Sequence, residues 1–310
     1  MITKKATTHG ILLAILATII WSGNFIVARG VIKEIPPVAL AFCRWGCASL
    51  IMIPFGWRSI HSQWSDIKAN AGHLFWAGLT GVSLFNTLVY IAGHYTEAIN
   101  LALIGTTSSP IFSYILARIF LKEKINTPKL MGLLVCIAGV LFILSRGNWN
   151  NLIHFRLTSG DGWVLLGALS FSIYNILARK KPPILGPVTY LTATFWIGTL
   201  LLLPLALWEI SLHPTGIRWT PSLALIILYL GAGASVASFF CWNAAIARLG
   251  AARASIFGNL IPVFSSIEAV WLLKEKILPA HITGMMLVFL GVFLANWQKK
   301  SIPTPGDQKG

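Results

Sequence analysis

The residues able to do chemistry in this chain are polar side chains set inside long apolar runs, where a donor or acceptor away from water needs a partner. Ser83, Asn86 and Tyr90 fall at i, i+3 and i+7, one face of a helix. Ser235, Ser238 and Trp242 repeat that stripe 152 residues later. Trp21, Asn24, Tyr174 and Asn175 form a second group, with Asn24 matched to Tyr174, and Thr107 is matched to Asn259. Such groups either tie helices together or bind a small polar ligand in a cavity. The matched positions favour a cavity lined by all twelve. Tyr90 and Trp242 are further expected near opposite mouths of it, as gates. Pro110 and Pro262 remove backbone donors that would bond the carbonyls of Thr106 and Gly258, so they are candidate hinges.

Two charges stand apart. Arg44 lies about 12 Å along its run at 1.5 Å per residue, and Glu268 lies near the end of another run on the same side. They either neutralise each other as an ion pair, or Glu268 is desolvated and serves as a proton-coupling site.

Catalytic chemistry finds no footing. The seven histidines, His9, His61, His73, His94, His154, His213 and His281, sit at run ends or between runs, away from any nucleophile. The four cysteines, Cys43, Cys47, Cys136 and Cys241, lie inside apolar runs as small packing residues. No catalytic residue, metal site or cofactor is expected, and no ring of like charges suggests a channel filter.

The elements that carry these residues follow from composition. Of 310 residues, 56% are hydrophobic and 11% charged, against about 25% charged in an ordinary soluble domain. That balance requires a bilayer as partner. The net charge of +15 is spread over short segments between apolar runs, which excludes a nucleic-acid surface. A bilayer takes about 20 residues per helical crossing. Ten runs qualify: 10–30, 36–56, 73–93, 97–120, 128–146, 161–179, 187–208, 221–246, 250–272 and 279–297. The first is kept as a span, since no cleavage site follows it. Segments on the N-terminal side hold 15 Lys and Arg, and the opposite side holds 7. By the positive-inside bias both termini, residues 1–9 and 298–310, are cytoplasmic tails.

The two halves are related. Pro37-Val38 matches Pro187-Val188 and Pro54 matches Pro204 at an offset of 150. Pro110 matches Pro262, Gly132 matches Gly284 and Leu121-Lys122-Glu123-Lys124-Ile125 matches Leu273-Lys274-Glu275-Lys276-Ile277 at 152. Repeats spanning 10–146 and 161–297, each with an odd number of spans, enter the membrane in opposite directions. Inverted repeats of this kind serve secondary transporters. The expected fold is therefore an all-α membrane protein of ten helices in two inverted five-helix repeats.

These residues also resemble a known family. Trp21-Ser22-Gly23-Asn24-Phe25 is similar to the W-G-x-x-F signature of EamA-type members of the drug/metabolite transporter superfamily. The stretch with Pro110, Leu121-Lys122-Glu123, Gly132 and Ala138-Gly139-Val140 resembles their fourth and fifth helices, and its second copy runs from Pro262 to Val292. Ser22, where the family often has Gly, and Glu268 depart from that pattern. The resemblance implies ten helices, a central cavity and small metabolites as cargo. Few charges and many aromatics suit export of amino acids or related zwitterionic and aromatic compounds. A nucleotide-sugar carrier, which would want more cations for phosphates, is the alternative, and a structural membrane subunit is the alternative from another class. The expected partners are a small-molecule substrate, the lipid bilayer and a proton as coupling ion. The chain is expected in a bacterial inner membrane as a monomer or weak homo-oligomer.

Overall fold

The computed structural model describes residues 4–31, 34–95, 98–124, 126–145, 147–148, 150, 159–212, 216–273 and 279–296. The regular elements among them are all helical. The first half contains α1 (Lys4–Val31), α2 (Pro37–Ser62), the short α3 (Trp64–Ala69), α4 (Ala71–Ala92), α5 (Ala98–Phe120) and α6 (Thr127–Leu144). The second contains α7 (Ser159–Arg179), α8 (Pro187–Ser211), α9 (Pro221–Leu249), α10 (Ala251–Ser255), α11 (Leu260–Leu273) and α12 (Pro279–Asn296). Among the described residues eight helices are long and apolar enough to cross a bilayer: α1, α2, α4, α6, α7, α8, α9 and α12. Helix α5 fills the place of the fourth expected span. The ninth is filled by α10 and α11, joined through a 3-10 turn at Ile256–Asn259.

Proline starts several helices where its missing N–H costs nothing: Pro37, Pro187 and Pro221 stand in first turns. Asn126 and Thr220 cap α6 and α9 through their side chains. The start of α2 is held by another helix, since Glu209 of α8 accepts the Ala39 N–H at 2.8 Å. The bundle turns large apolar side chains outward, among them Leu200, Leu207, Trp208 and Phe289. Such a surface belongs in lipid.

The repeat is visible in the packing itself, because residues one offset apart touch each other. Trp21 and Phe171 meet edge-on at 5.7 Å, and Trp45 lies 5.0 Å from Phe195. Ser49 and Thr199 hydroxyls are 2.9 Å apart, and Cys136 Sγ is 3.5 Å from the Val288 carbonyl. Self-matched contacts of this kind lie along a pseudo-two-fold axis. Helices α6 and α12 close on it through glycines: a Cβ at Gly139 would sit 2.7 Å from the Gly284 carbonyl oxygen, and one at Gly132 would sit 2.5 Å from that of Gly291. Small residues let the two backbones touch.

Two features differ from the sequence expectation. Helix α1 begins at Lys4, so Lys4–His9, expected as tail, continue the helix. Both α4 and α9 contain a π-helical stretch, Leu79–Leu84 and Tyr229–Ala237, overlapping at the repeat offset. A π turn inserts a residue and rotates everything after it relative to a straight helix. Lys274–Ile277, the second copy of the charged string, and the tail 298–310 lie outside the described residues.

Candidate functional site

A cavity lined from both halves lies between them. Its walls come from α1 (Trp21), α2 (Arg44), α4 (Phe85, Asn86, Val89), α5 (Thr106, Ser109, Pro110), α7 (Phe171), α9 (Phe239, Trp242), α10 (Ser255), the 3-10 turn (Gly258) and α11 (Ile261). Arg44, near the start of α2, and Val89, near the end of α4, stand on its side away from the face where α1 begins, and Ser255 of α10 stands on its side toward that face. At the face where α1 begins, hydrogen bonds cross between helices. Glu123, after α5, accepts the Ala251 N–H at 3.1 Å, Arg179 donates to the Ala247 carbonyl at 2.5 Å, and Arg253 donates to Asn296 Oδ1 at 2.5 Å.

Arg44 is only 1% exposed and organises the wall. Its Nε donates to Ser235 Oγ at 2.7 Å, and Nη1 donates to Asn86 Oδ1 and Tyr90 Oη, both at 2.9 Å. Its Nη2 donates to the Ala234 carbonyl at 3.0 Å, a group in the π stretch of α9. Asn86 thus spends its oxygen on Arg44, while its Nδ2 donor is buried without a partner. The rest of the wall is mostly rings. Trp21 lies 5.0 Å from Trp242 and 5.9 Å from Phe239, and Phe85 stacks on Phe171 at 4.5 Å.

The expected site residues separate into two groups. Trp21, Asn86 and Trp242 line the cavity, together with Arg44 and Pro110. Tyr90 and Ser235 stand behind them on Arg44. The remaining described ones lie outside the lining. Ser83 Oγ donates to the Gly198 carbonyl at 2.9 Å, tying α4 to α8, and Ser238 bonds back to Gly233 within its own helix. The π stretches explain this: they turn Ser83 away from the face of Asn86 and Tyr90, which a straight helix would share. Tyr174 Oη accepts from Asn243 at 2.6 Å, and Asn175 bridges Trp242 and Ser113. Asn259 donates to the Ile256 carbonyl in the 3-10 turn just before Pro262, and its Oδ1 has no partner. Thr107 flanks the wall residue Thr106. The side chain of Asn24 lies outside the described residues.

Of the two alternatives for Arg44 and Glu268, the ion pair is not formed. Arg44 is engaged as above, whereas Glu268 Oε1 meets Ser22 Oγ at 2.6 Å and its Oε2 has no partner. Helix α9 meets both residues' surroundings: its Ala234 carbonyl accepts from Arg44, and its Tyr229 hydroxyl, like Glu268 Oε2, borders Gly23. Sequence reading missed that helix because the π stretch brings the Ala234 carbonyl and Ser235 to the guanidinium first. It also missed Phe85, Phe171 and Phe239 as wall residues. Phe171 had a signal, its alignment with Trp21; the other two look like any lipid-facing ring.

The chain matches the EamA-like transporter family over residues 8–145 and 158–297. An uncharacterized transporter of Archaeoglobus fulgidus is 28% identical over 298 residues, covering 94% of this chain and 97% of that one. The uncharacterized transporter YyaM of Bacillus subtilis is 27% identical, covering 90% of each. A protein of Streptantibioticus cattleyicolor named as a probable terminal-alkyne amino-acid exporter is 29% identical over 74% of this chain and 75% of its own. A solved crystal structure superposes with a TM-score of 0.74 at 17% identity, over 93% of this chain and 96% of that one, and so shares the fold. Two matches to this family, together covering most of the chain, on a bundle of apolar helices, identify this chain as a membrane transporter belonging to the EamA-like family.

Proposed function

We propose that this transporter exports small carboxylate-bearing metabolites, amino acids and related aromatic zwitterions above all, by alternating access through the Arg44–Asn86 cavity. The observation that carries the reading is the free Nδ2 donor of Asn86 beside the Arg44 guanidinium, in a cavity otherwise walled by rings. An amide donor in the positive field of a buried guanidinium suits a carboxylate, and the aromatic wall suits an apolar side chain. The S. cattleyicolor relative, by its name, handles amino acids. In this reading ten helices cross a bacterial inner membrane with both termini in the cytoplasm, in line with the 15-to-7 distribution of cations. The halves rock about Pro110 and Pro262, and Tyr90 and Trp242 close opposite mouths in turn.

Proteoliposomes loaded with labelled L-phenylalanine, L-leucine, L-phenylalaninamide or UDP-glucose test the substrate class. The amino acids should leave the vesicles at least ~10-fold faster than the amide. The carboxylate's charge-assisted bonds are worth roughly 1.5–3 kcal/mol, and each 1.4 kcal/mol is tenfold. Asn86→Ala should slow the acids and not the amide. Equal rates for acid and amide would refute carboxylate recognition, and efflux of UDP-glucose alone would select the nucleotide-sugar reading.

A further inference from the structure

Ser22 makes two short contacts that its single proton cannot serve. Its Oγ lies 2.5 Å from the Ile19 carbonyl oxygen and 2.6 Å from Glu268 Oε1. A carbonyl oxygen and an ionised carboxylate are both acceptors only, and a serine hydroxyl has one proton to give. Were Glu268 ionised, the one proton would have to be split between two acceptors in a weak three-centre bond, or one contact would set lone pairs face to face. Contacts of 2.5 and 2.6 Å are each the length of a full O–H···O bond. The count closes when Glu268 carries a proton: the carboxylic acid donates to Ser22 Oγ, and Ser22 donates to the Ile19 carbonyl. We propose that Glu268 and Ser22 form a proton-binding site between α11 and α1, occupied by a proton in this conformation.

The surroundings suit a neutral acid. Glu268 Oε2 is buried with no hydrogen-bond partner, and a Cβ at Gly23 would lie 3.6 Å from it. Tyr229 of α9 is the titratable group facing the acid, and its hydroxyl donates to the Ile20 carbonyl at 2.6 Å. Arg44 of α2 bonds the same helix as Tyr229 through the Ala234 carbonyl and Ser235 Oγ. The helices packed on α11 are α1, α5, α6 and α12. Their described titratable side chains include His9, Tyr114, Arg118, Lys129, Cys136 and His281, and none is bonded or ion-paired to Glu268.

Release of the proton to water leaves a carboxylate, and the Ser22 proton turns from the Ile19 carbonyl to Oε1. That carbonyl loses its side-chain bond, while the tie between α1 and α11 becomes a charge-assisted one. The titration therefore acts on α1 directly below the cavity residue Trp21. This consequence rests on the transport reading above; the proton count does not.

Infrared difference spectroscopy of the full-length protein in phosphatidylcholine vesicles, with deuterons as the probe, reads the protonation state. At neutral pH a carboxylic-acid C=O band that shifts in heavy water should be present in the wild type and missing in Glu268→Gln. Ser22→Ala should move the band, because the acid loses its acceptor. Loss of a carboxylate band instead in Glu268→Gln would show an ionised Glu268 and overturn the proposal. Should Glu268→Gln fail to fold, an unmoved band in Ser22→Ala overturns it equally. In the proteoliposome assay, stimulation of phenylalanine efflux by a pH gradient should vanish in Glu268→Gln while exchange at equal pH persists. Stimulation retained in that variant would refute coupling through this site. Efflux of none of the test compounds, with the acid band present, would sink the substrate reading and leave the proton site standing.

Discussion

Leucine at Gly139 is expected to leave little folded protein. A Cβ there would stand 2.7 Å from both the Gly284 carbonyl oxygen and the Val288 nitrogen. Those are backbone atoms of α12, so no side-chain rotation relieves the clash. The partner surface is equally closed, since a Cβ at Gly284 would lie 2.8 Å from the Gly139 carbonyl. The helices must separate along the whole seam, which includes Gly132 and Gly291. Overpacking a side chain into a tight site costs about 1–3 kcal/mol where neighbours can give way, and here the neighbours are fixed. In detergent, Gly139→Leu should lose the monodisperse peak in size-exclusion chromatography, whereas Gly46→Ala, with no neighbour within 4 Å, should behave as wild type. A monodisperse Gly139→Leu with an unchanged Tm would show that α6 and α12 are not in backbone contact.

Arg44→Lys is expected to cripple transport despite keeping the charge. The guanidinium reaches Ser235, Asn86, Tyr90 and the Ala234 carbonyl at once, joining α2 to α4 and α9. A lysine ammonium has three donors on one point and cannot span that set. Each abandoned buried acceptor costs about 1–3 kcal/mol, and the wall residue Asn86 loses its anchor. Initial efflux of phenylalanine per folded molecule should fall by ~10² or more in Arg44→Lys, with a lowered Tm. Arg44→Ala should be worse in both. Wild-type rate and Tm in Arg44→Lys would mean that Arg44 neither builds the wall nor meets the substrate.

Much of the architecture was legible because membrane spans leave strong signals. Apolar runs bounded by proline and charge placed the helices, and the charged string after α5 revealed the repeat. The contacts between Ser49 and Thr199 and between Trp45 and Phe195 show that the offset of 150 reports a spatial relation. The site was less legible, for reasons of local geometry. The stripe of Ser83, Asn86 and Tyr90 assumed 3.6 residues per turn, and the π stretch at Leu79–Leu84 broke that period. Arg44 and Glu268 share a depth, which suggested pairing; depth says nothing of which helix each one meets, and Arg44 bonds to α9 while Glu268 meets α1. Ser22 and Glu268, each a departure from the family pattern, proved to be partners.

Alternating access through this cavity is the central claim, and two repeat-related positions test it most directly. Val89 lines the cavity in this conformation, while its partner one repeat on, Cys241, does not. If the inverted halves exchange packings, Cys241 should join the wall as Val89 leaves it. The measurement is labelling by a membrane-impermeant thiol reagent in protein lacking Cys43, Cys47 and Cys136, with the native Cys241 in one version and Val89→Cys with Cys241→Ser in the other. Phenylalanine, or a pH step that empties Glu268, should raise reactivity at one position and lower it at the other. Changes in the same direction at both, or none while efflux proceeds, would contradict alternating access through the cavity.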